Sequence, residues 1–271
     1  METSAGPPEE IVGAREEEEA NPAAEGHYWR KQLGCRSGII AWSHRARFRE
    51  GLRLAGRSAR KVLDYGCGDG TFLAMAADRI GAGVGADIAV DQIADCRTRL
   101  SRFSNLAFCT TAELRDRSHD GAYDVVMCME TLEHCTAPAV EAVLGDLARL
   151  VAPAGTVVIS VPIETGPTFL IKLVIRKVAG WRGLSDYRHY ESYGPRDALR
   201  MIFAGRRTAV ARPVYGAPDA PGHTHYGFNW RAMRERVRSH LAIERTLFSP
   251  LGFLGGWVGS QAWFVCRPPL A

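Results

Sequence analysis

The stretch Lys61-Val62-Leu63-Asp64-Tyr65-Gly66-Cys67-Gly68-Asp69-Gly70-Thr71 decides the fold. A short apolar run reaches an acidic residue at its end and passes into three glycines within five residues, after which apolar positions recur at helical spacing. A strand handing over to a helix through such a loop brings its backbone close to a ligand. Side chains at Gly66 and Gly68 would occupy the space that the bound molecule needs. The dinucleotide fingerprint G-x-G-x-x-G is not met, because Thr71 stands at its third glycine position and Gly70 comes one residue early. A nicotinamide or flavin site is therefore disfavoured.

Outward from this loop the chain alternates between strand and helix patterns. We expect strands at Lys61 to Tyr65, Gly83 to Asp87, Leu106 to Thr110, Tyr123 to Met129 and Thr156 to Val161. Between them come helices at Thr71 to Arg79, Asp91 to Leu100 and Pro138 to Leu150. Short Val-, Ile- and Met-rich strands separated by amphipathic helices indicate an α/β, Rossmann-like, doubly wound sheet. Asp91 is expected to act as an N-cap, Pro138 to open its helix, and Pro153-Ala154-Gly155 to turn the chain back into a strand. Upstream, the spacing of aromatic and apolar residues from His27 to Gly56, broken near Gly34 to Gly38, predicts two helices. Downstream, a helix Asn229 to His240 and strands Leu241 to Phe248 and Gln261 to Arg267 resume the fold. The expected division is a disordered acidic tail (1–25), N-terminal helices (26–60), a cofactor-binding core (61–162), an inserted cap or substrate region (163–228) and a C-terminal unit completing the sheet (229–271).

Asp87 ends the second strand, where a carboxylate can accept the hydroxyls of a nucleoside ribose. With the glycine loop now flanked by two acidic strand ends, a family resemblance can be stated. Val62 to Gly70 resembles motif I of class I S-adenosylmethionine-dependent methyltransferases. Gly85-Ala86-Asp87-Ile88 resembles their second motif, Thr111-Ala112-Glu113-Leu114 their adenine-side loop, and Tyr123 to His134 their fourth-strand motif. The likeness is to the small-molecule, ubiquinone-pathway O-methyltransferase branch. It implies a seven-stranded sheet with a final antiparallel strand and S-adenosylmethionine across the strand ends. It further implies that the loop Gly66, Cys67 and Gly68 holds the methionine moiety above Asp64, that Asp87 takes the ribose, and that Ile88, Ala112 and Met129 border the cofactor. Many relatives carry Asp where Thr111 stands, so Glu113 or a backbone carbonyl is expected to meet the adenine amino group.

Methyl transfer from a sulfonium needs chiefly an aligned acceptor and somewhere for its proton to go. An amine arrives neutral, whereas a hydroxyl needs a base or a metal. Glu130-Thr131-Leu132-Glu133-His134 follows the fourth strand and resembles the Glu-x-x-Glu-His run that ubiquinone-pathway and small-RNA 2′-O-methyltransferases use to hold a divalent metal. That resemblance implies Glu130, Glu133 and His134 as metal ligands, with a further one from the cap among His189, His223 and His225. Without metal, Glu133 and His134 are the catalytic candidates and His134 the general base. The expected function is methyl transfer to a hydroxyl oxygen of a small-molecule, lipid or glycan acceptor. The alternatives are an RNA 2′-O-methyltransferase, an N-methyltransferase, and a catalytically silent methyltransferase-like binding subunit.

Charge and composition bound these readings. Residues 1–25 carry eight Glu against Arg15, so within a formal net charge of +4 the remaining chain carries +11. Ten Arg or Lys lie between Arg30 and Lys61 with Glu50 as the single acid, a pattern read first as a solvated face in an Arg-rich chain and otherwise as a phosphate-binding one. No RNA-binding module is recognised, and nucleic acid is not expected as a partner. The seven cysteines are odd in number and form no CxxC pair, and the N-terminus lacks a basic-then-apolar leader pattern. Free thiols and a cytoplasmic protein are the expectation. Phe169 to Ala179 combines apolar residues with Lys172, Arg176 and Lys177 on one side, as interfacial helices do, and Leu251 to Val258 is similarly apolar. Peripheral membrane contact and core packing both account for these two segments.

Overall fold

The computed structural model describes residues 26, 38–56, 59–181, 193–216, 221–257 and 259–269. Helix α1 (Gly38–Ala55) precedes β1 (Lys61–Tyr65), α2 (Thr71–Ala76), β2 (Ala82–Asp87), α3 (Val90–Arg99), β3 (Leu106–Thr110), β4 (Tyr123–Met129), α4 (Ala137–Leu150) and β5 (Val151–Pro162). Two cap helices, α5 (Pro167–Trp181) and α6 (Pro195–Ile202), intervene before α7 (Trp230–Arg238), β6 (Ala242–Ser249) and β7 (Gln261–Arg267). The seven strands form one sheet in the order β3-β2-β1-β4-β5-β7-β6. The first five run parallel, and β7 is inserted antiparallel between β5 and β6. Strand order reverses between β1 and β4, which opens a crevice at their carboxyl ends, the place where ligands bind in open α/β sheets.

Helices cover both faces, so successive strand residues are buried on opposite sides. Val62, Met127, Val158 and Trp263 point to α1, α2 and α3, where Phe48, Leu52, Phe72, Leu73, Ile93 and Cys96 meet them. Leu63, Val126, Ile159 and Phe264 point the other way, to Val140, Leu144 and Leu147 of α4 and Trp230, Met233 and Val237 of α7. A third, small cluster of Phe169, Met201 and Val210 gives the cap a core of its own. Tyr193 stacks on Tyr226 at 4.2 Å beside it.

Several local expectations are corrected. The helix expected at Thr71 to Arg79 is α-helical only to Ala76 and closes in a tighter turn at Ala77–Arg79. Asp91 does not cap α3. Ala89 occupies the N-cap position, and Asp87 Oδ1 already accepts the Ala89 amide at 2.9 Å, tightening the turn before Asp91 is reached. Pro153-Ala154-Gly155 lies within β5, not ahead of it. The ladder to β4 jumps there from Tyr123↔Val151 to Val125↔Thr156, an irregularity suited to a proline that has no ladder hydrogen to donate. Among the described residues one helix, α1, precedes the sheet; the first expected helix, the acidic tail and His189 lie outside them. The six described cysteines are free thiols.

Asn229 begins α7 as a true cap. Its Oδ1 accepts the Arg231 amide at 3.0 Å, and its Nδ2 donates to the carbonyls of Gly205 and Thr208 at 2.8 and 2.9 Å. One side chain thus starts the helix and ties down the cap. We expect Asn229→Ala to destabilise the protein by roughly 1–2 kcal/mol, measured by denaturant unfolding, since a cap and two part-buried hydrogen bonds are lost together.

Candidate functional site

The loop after β1 is held in a conformation that its glycines permit. Gly66, Gly68 and Gly70 have φ of 79°, 53° and 73°, all left-handed. The three are not equivalent. A Cβ at Gly66 would strike Thr131 and one at Gly70 would lie 2.7 Å from Leu100 Cδ1, whereas one at Gly68 would meet only Gln92 Oε1, at 3.6 Å. Gly66 and Gly70 are glycines for packing; Gly68 faces open space. Its amide donates to Asp87 Oδ2 at 2.9 Å, so Asp87 binds the loop and the start of α3 at once. Arg99 steadies the loop from α3 by donating to the Asp69 carbonyl, and Asp69 in turn accepts from the Thr71 amide and hydroxyl.

Asp64 lies beneath, 2% exposed, with its carboxyl pushed up to about 7, first by burial and then by the charges of Asp87 and Asp69. Cys67 is buried beside it and Met129 half-buried at the end of β4. Ile88 is 70% exposed at the end of β2, and Ala112 is also exposed. An uncovered Ile at the carboxyl edge of the sheet, next to the open face of Gly68, provides an apolar surface for a flat ring. Glu113 is engaged within its own turn. Its carboxylate accepts from the Thr110 amide and hydroxyl at 2.6 and 2.8 Å and pairs with Arg97, and these bonds hold its pKa below the ordinary value. It caps its own turn.

Beyond β4 the chain makes a sharp turn at Glu130, whose φ of 53° is the single positive value at a described non-glycine residue. Such a conformation persists only where its surroundings hold it. Ser160 donates to Glu130 Oε1 at 3.1 Å, and Arg47 of α1 lies 3.4 Å from Oε2. Glu130 is thereby engaged by Ser160 and Arg47, and it is not in the group of described residues whose candidate ligand atoms converge. Among the described residues, the group that comes together is Glu133, His134 and His225, with one candidate ligand atom of each within 4.8 Å of the others.

Glu133 is fully buried, and neither of its carboxyl oxygens has a hydrogen-bond partner. Burial, reinforced by the nearby Glu130 charge, holds its pKa well above the ordinary carboxylate range. Two imidazoles flank it, with His134 Nε2 and His225 Nε2 each 3.8 Å from Glu133 Oε1. His134 Nδ1 lies 3.0 Å from the His223 carbonyl, which can only accept, so the ring hydrogen sits on Nδ1 and a lone pair on Nε2 faces Glu133. Burial also keeps His134 below the usual imidazole pKa. Two orphaned carboxyl oxygens and two imidazoles around one point form a donor set that fits a divalent cation.

The cap supplies what the motif lacks. Arg212 donates to the carbonyls of Glu133, Thr224 and Tyr226, while the His223 amide donates to the His134 carbonyl at 2.8 Å. These bonds fasten the loop carrying His225 to the turn carrying Glu133. His225 Nδ1 lies 3.6 Å from Glu164 Oε1, and Lys172 Nζ donates to the same oxygen at 3.1 Å. Lys172 therefore points inward from α5, toward the site.

Sequence reasoning missed Arg47, Glu164 and Arg212. Arg47 was counted within a solvated basic face, yet it is 7% exposed. It stands one helical turn before Gly51 and two before Ala55, both buried, and that row was the available signal. Glu164, an isolated acid after an apolar strand, carried a weaker one. Nothing in the sequence marked Arg212 among thirty arginines.

Residues 40–206 match the protein family described as methyltransferase domain. The ubiquinone biosynthesis O-methyltransferase of Sodalis glossinidius is 39% identical over 125 residues, covering 45% of this chain and 49% of that protein. That of Thiobacillus denitrificans is 35% identical over 151 residues, covering 53% and 62%. The chain thus spans about half the length of the first curated relatives it matches. Among solved structures, the PH0226 protein from Pyrococcus horikoshii OT3 superposes with a TM-score of 0.55 at 16% identity, over 89% of this chain and 98% of that one. The methyltransferase domain of bacterial CtHen1-CN gives 0.52 at 14%, over 83% and 99%. At such identities these structures share the fold.

Proposed function

The chain belongs to the methyltransferase-domain family, with the class I S-adenosylmethionine-dependent fold, and from that premise we propose that it transfers a methyl group from S-adenosylmethionine to a hydroxyl oxygen of a small-molecule or lipid acceptor. The observation that carries the choice of oxygen is the buried Glu133 carboxyl, orphaned between His134 and His225. An amine that arrives neutral attacks through its lone pair with no N–H removed first, so a carboxyl and two imidazoles assembled at the end of β4 would serve it less. A hydroxyl does need this. The curated O-methyltransferase relatives support the same choice.

S-adenosylmethionine supplies an electrophilic methyl on a sulfonium, so the chain has only to bind, align and manage a proton. The open face of Gly68 would receive its methionine end, Asp87 its ribose hydroxyls, and Ile88 and Ala112 its adenine. Asp64, buried below the loop, would face the positive end of the cofactor, and this favours its ionised form. A divalent ion, if the protein carries one, would be held by Glu133, His134 and His225 and would make a hydroxyl more acidic. His134 presents a neutral ring with its lone pair toward this point, with or without an ion. Arg47 balances the buried acids Asp64, Glu130 and Glu133 from α1, so the helix ahead of the sheet belongs to the site.

The test is calorimetric titration with S-adenosylhomocysteine, followed by product mass shifts in a host extract supplied with labelled S-adenosylmethionine. Asp87→Ala should weaken cofactor binding by ~1–3 kcal/mol, because both the loop and the ligand hydroxyls lose a charged acceptor. Unchanged affinity would remove Asp87 from the site. A labelled product whose methyl sits on nitrogen would overturn the choice of oxygen.

A further inference from the structure

The two imidazoles of the candidate site present the same edge to Glu133. His134 Nε2 and His225 Nε2 each lie 3.8 Å from Glu133 Oε1, and the ring centroids are 5.1 Å apart. A ring offers a lone pair from Nε2 only while its hydrogen stays on Nδ1. For His134 the His223 carbonyl keeps it there. On the corresponding side of His225 stands the Glu164 carboxyl, whose Oε1 lies 3.6 Å from Nδ1.

Glu164 is placed firmly enough to act on that ring. It is 1% exposed, and Lys172 Nζ donates to the same oxygen at 3.1 Å and to the Ser260 carbonyl at 3.3 Å. A carboxylate held by an ammonium has no hydrogen to give and can only accept from the ring. The backbone around it is fixed at three points. The Ile163 amide donates to the Ser260 carbonyl at 2.9 Å, the Thr165 hydroxyl accepts from Arg231 at 2.9 Å, and the Gly166 amide donates to the Met201 carbonyl at 3.0 Å. Oε1 is thereby kept a fraction of an ångström outside hydrogen-bond distance of Nδ1. The Glu133 oxygens have no hydrogen-bond partner, so neither ring directs its hydrogen at them.

We propose that Glu164 is a positioning residue for the candidate site: its carboxylate keeps the ring hydrogen of His225 on Nδ1 and so turns the Nε2 lone pair toward Glu133 and His134. Two rings then offer lone pairs to one point, which is what either a divalent ion or a hydroxyl proton requires. A carboxylate behind an imidazole also makes the far nitrogen more basic. The consequence for function rests on Glu133, His134 and His225 being the proton- or ion-handling centre, whereas the position of the hydrogen can be measured without that premise. If Glu164 served only to neutralise Lys172, removing both charges together would leave His225 unaltered.

Two double variants separate these roles. Glu164→Gln/Lys172→Met removes both charges and keeps an oxygen that can accept from Nδ1, and Glu164→Leu/Lys172→Met removes that oxygen as well. Two-bond proton–nitrogen NMR spectra of protein carrying isotope-labelled histidine, recorded in chelator above the imidazole titration range, report which nitrogen bears the hydrogen, with His225→Asn identifying the signals. We expect the hydrogen on Nδ1 in the wild type and the Gln variant, and a shift toward Nε2 in the Leu variant. Affinity for Mn2+, followed by loss of the free-ion EPR signal, should fall by about tenfold or more in the Leu variant and stay within about threefold of wild type in the Gln variant, at matching melting temperatures. The same His225 hydrogen position in all three chains, or a wild type with the hydrogen on Nε2, would overturn the proposal. A wild type that binds no Mn2+ while the Leu variant still moves the hydrogen supports the role of Glu164 and overturns only the ion reading of the site.

Discussion

Valine at position 68 is expected to lower affinity for S-adenosylhomocysteine by a factor on the order of a hundred or more, with activity falling in step. Two costs combine. The residue sits at φ 53°, a region that β-branched side chains rarely enter, and its side chain would project into the open space at the carboxyl end of β1. No described protein atom needs that space, since only Gln92 Oε1 comes within 4 Å of a Cβ there. The damage should therefore fall mainly on the ligand. Valine at position 70 makes the contrast, because its Cβ would meet Leu100 and Phe108 at 2.7 and 3.0 Å, and the fold itself should suffer. Calorimetry and thermal melts on the two variants separate these effects. Normal ligand affinity in Gly68→Val would remove the glycine loop from the cofactor site.

Removing the Glu133 carboxyl should have the second large effect. We expect Glu133→Ala to reduce divalent-ion affinity and turnover by a factor of roughly a hundred or more, leaving S-adenosylhomocysteine affinity within about twofold. Chelation of the wild-type protein should act in the same way. The pH dependence identifies the group. Burial keeps the Glu133 carboxyl protonated well above the usual carboxylate range, so a cation binding there must displace a proton. Ion affinity should rise by about tenfold per pH unit for the Glu133 proton displaced, throughout the range below its raised pKa, and level off above it. Stability without the ion should move the opposite way. A raised carboxyl pKa means a contribution to stability that is full below the ordinary value and is lost as pH climbs toward the raised one. Glu133→Gln has no proton to lose, so its melting temperature should exceed that of wild type by a margin that grows with pH in chelator and disappears when the ion is added. Ion titrations that are flat with pH, or unaltered by Glu133→Ala, would leave proton handling to His134 without metal.

The order of strands and helices was legible because it is written locally. Lys61–Tyr65, Leu106–Thr110, Tyr123–Met129 and Gln261–Arg267 form strands with the expected bounds. Each is a short apolar run whose alternate residues both meet helices, and that needs no knowledge of distant segments. Errors gathered where a neighbour in space overrode the local signal. Asp91 had the right residue type for a cap, but Asp87 had already tied the turn one step earlier. Pro153 to Gly155 looked like a turn in one dimension and is an irregular stretch of strand held against β4.

By itself, then, the sequence determined the doubly wound sheet and the cofactor loop, and it placed Glu133 and His134 together. Periodicity, glycine spacing and strand-end acids act over a few residues, where covalent geometry alone fixes what is near what. Tertiary structure decided the rest of the site. Arg47 comes from a helix ahead of the sheet, His225 from a loop 91 positions beyond His134, and Glu164 from the segment just past β5. It also decided that Glu130, three residues before Glu133, is bonded by Arg47 and Ser160. Buried charges cost too much to remain unpaired, so the partner that packing brings within reach determines what each of them does.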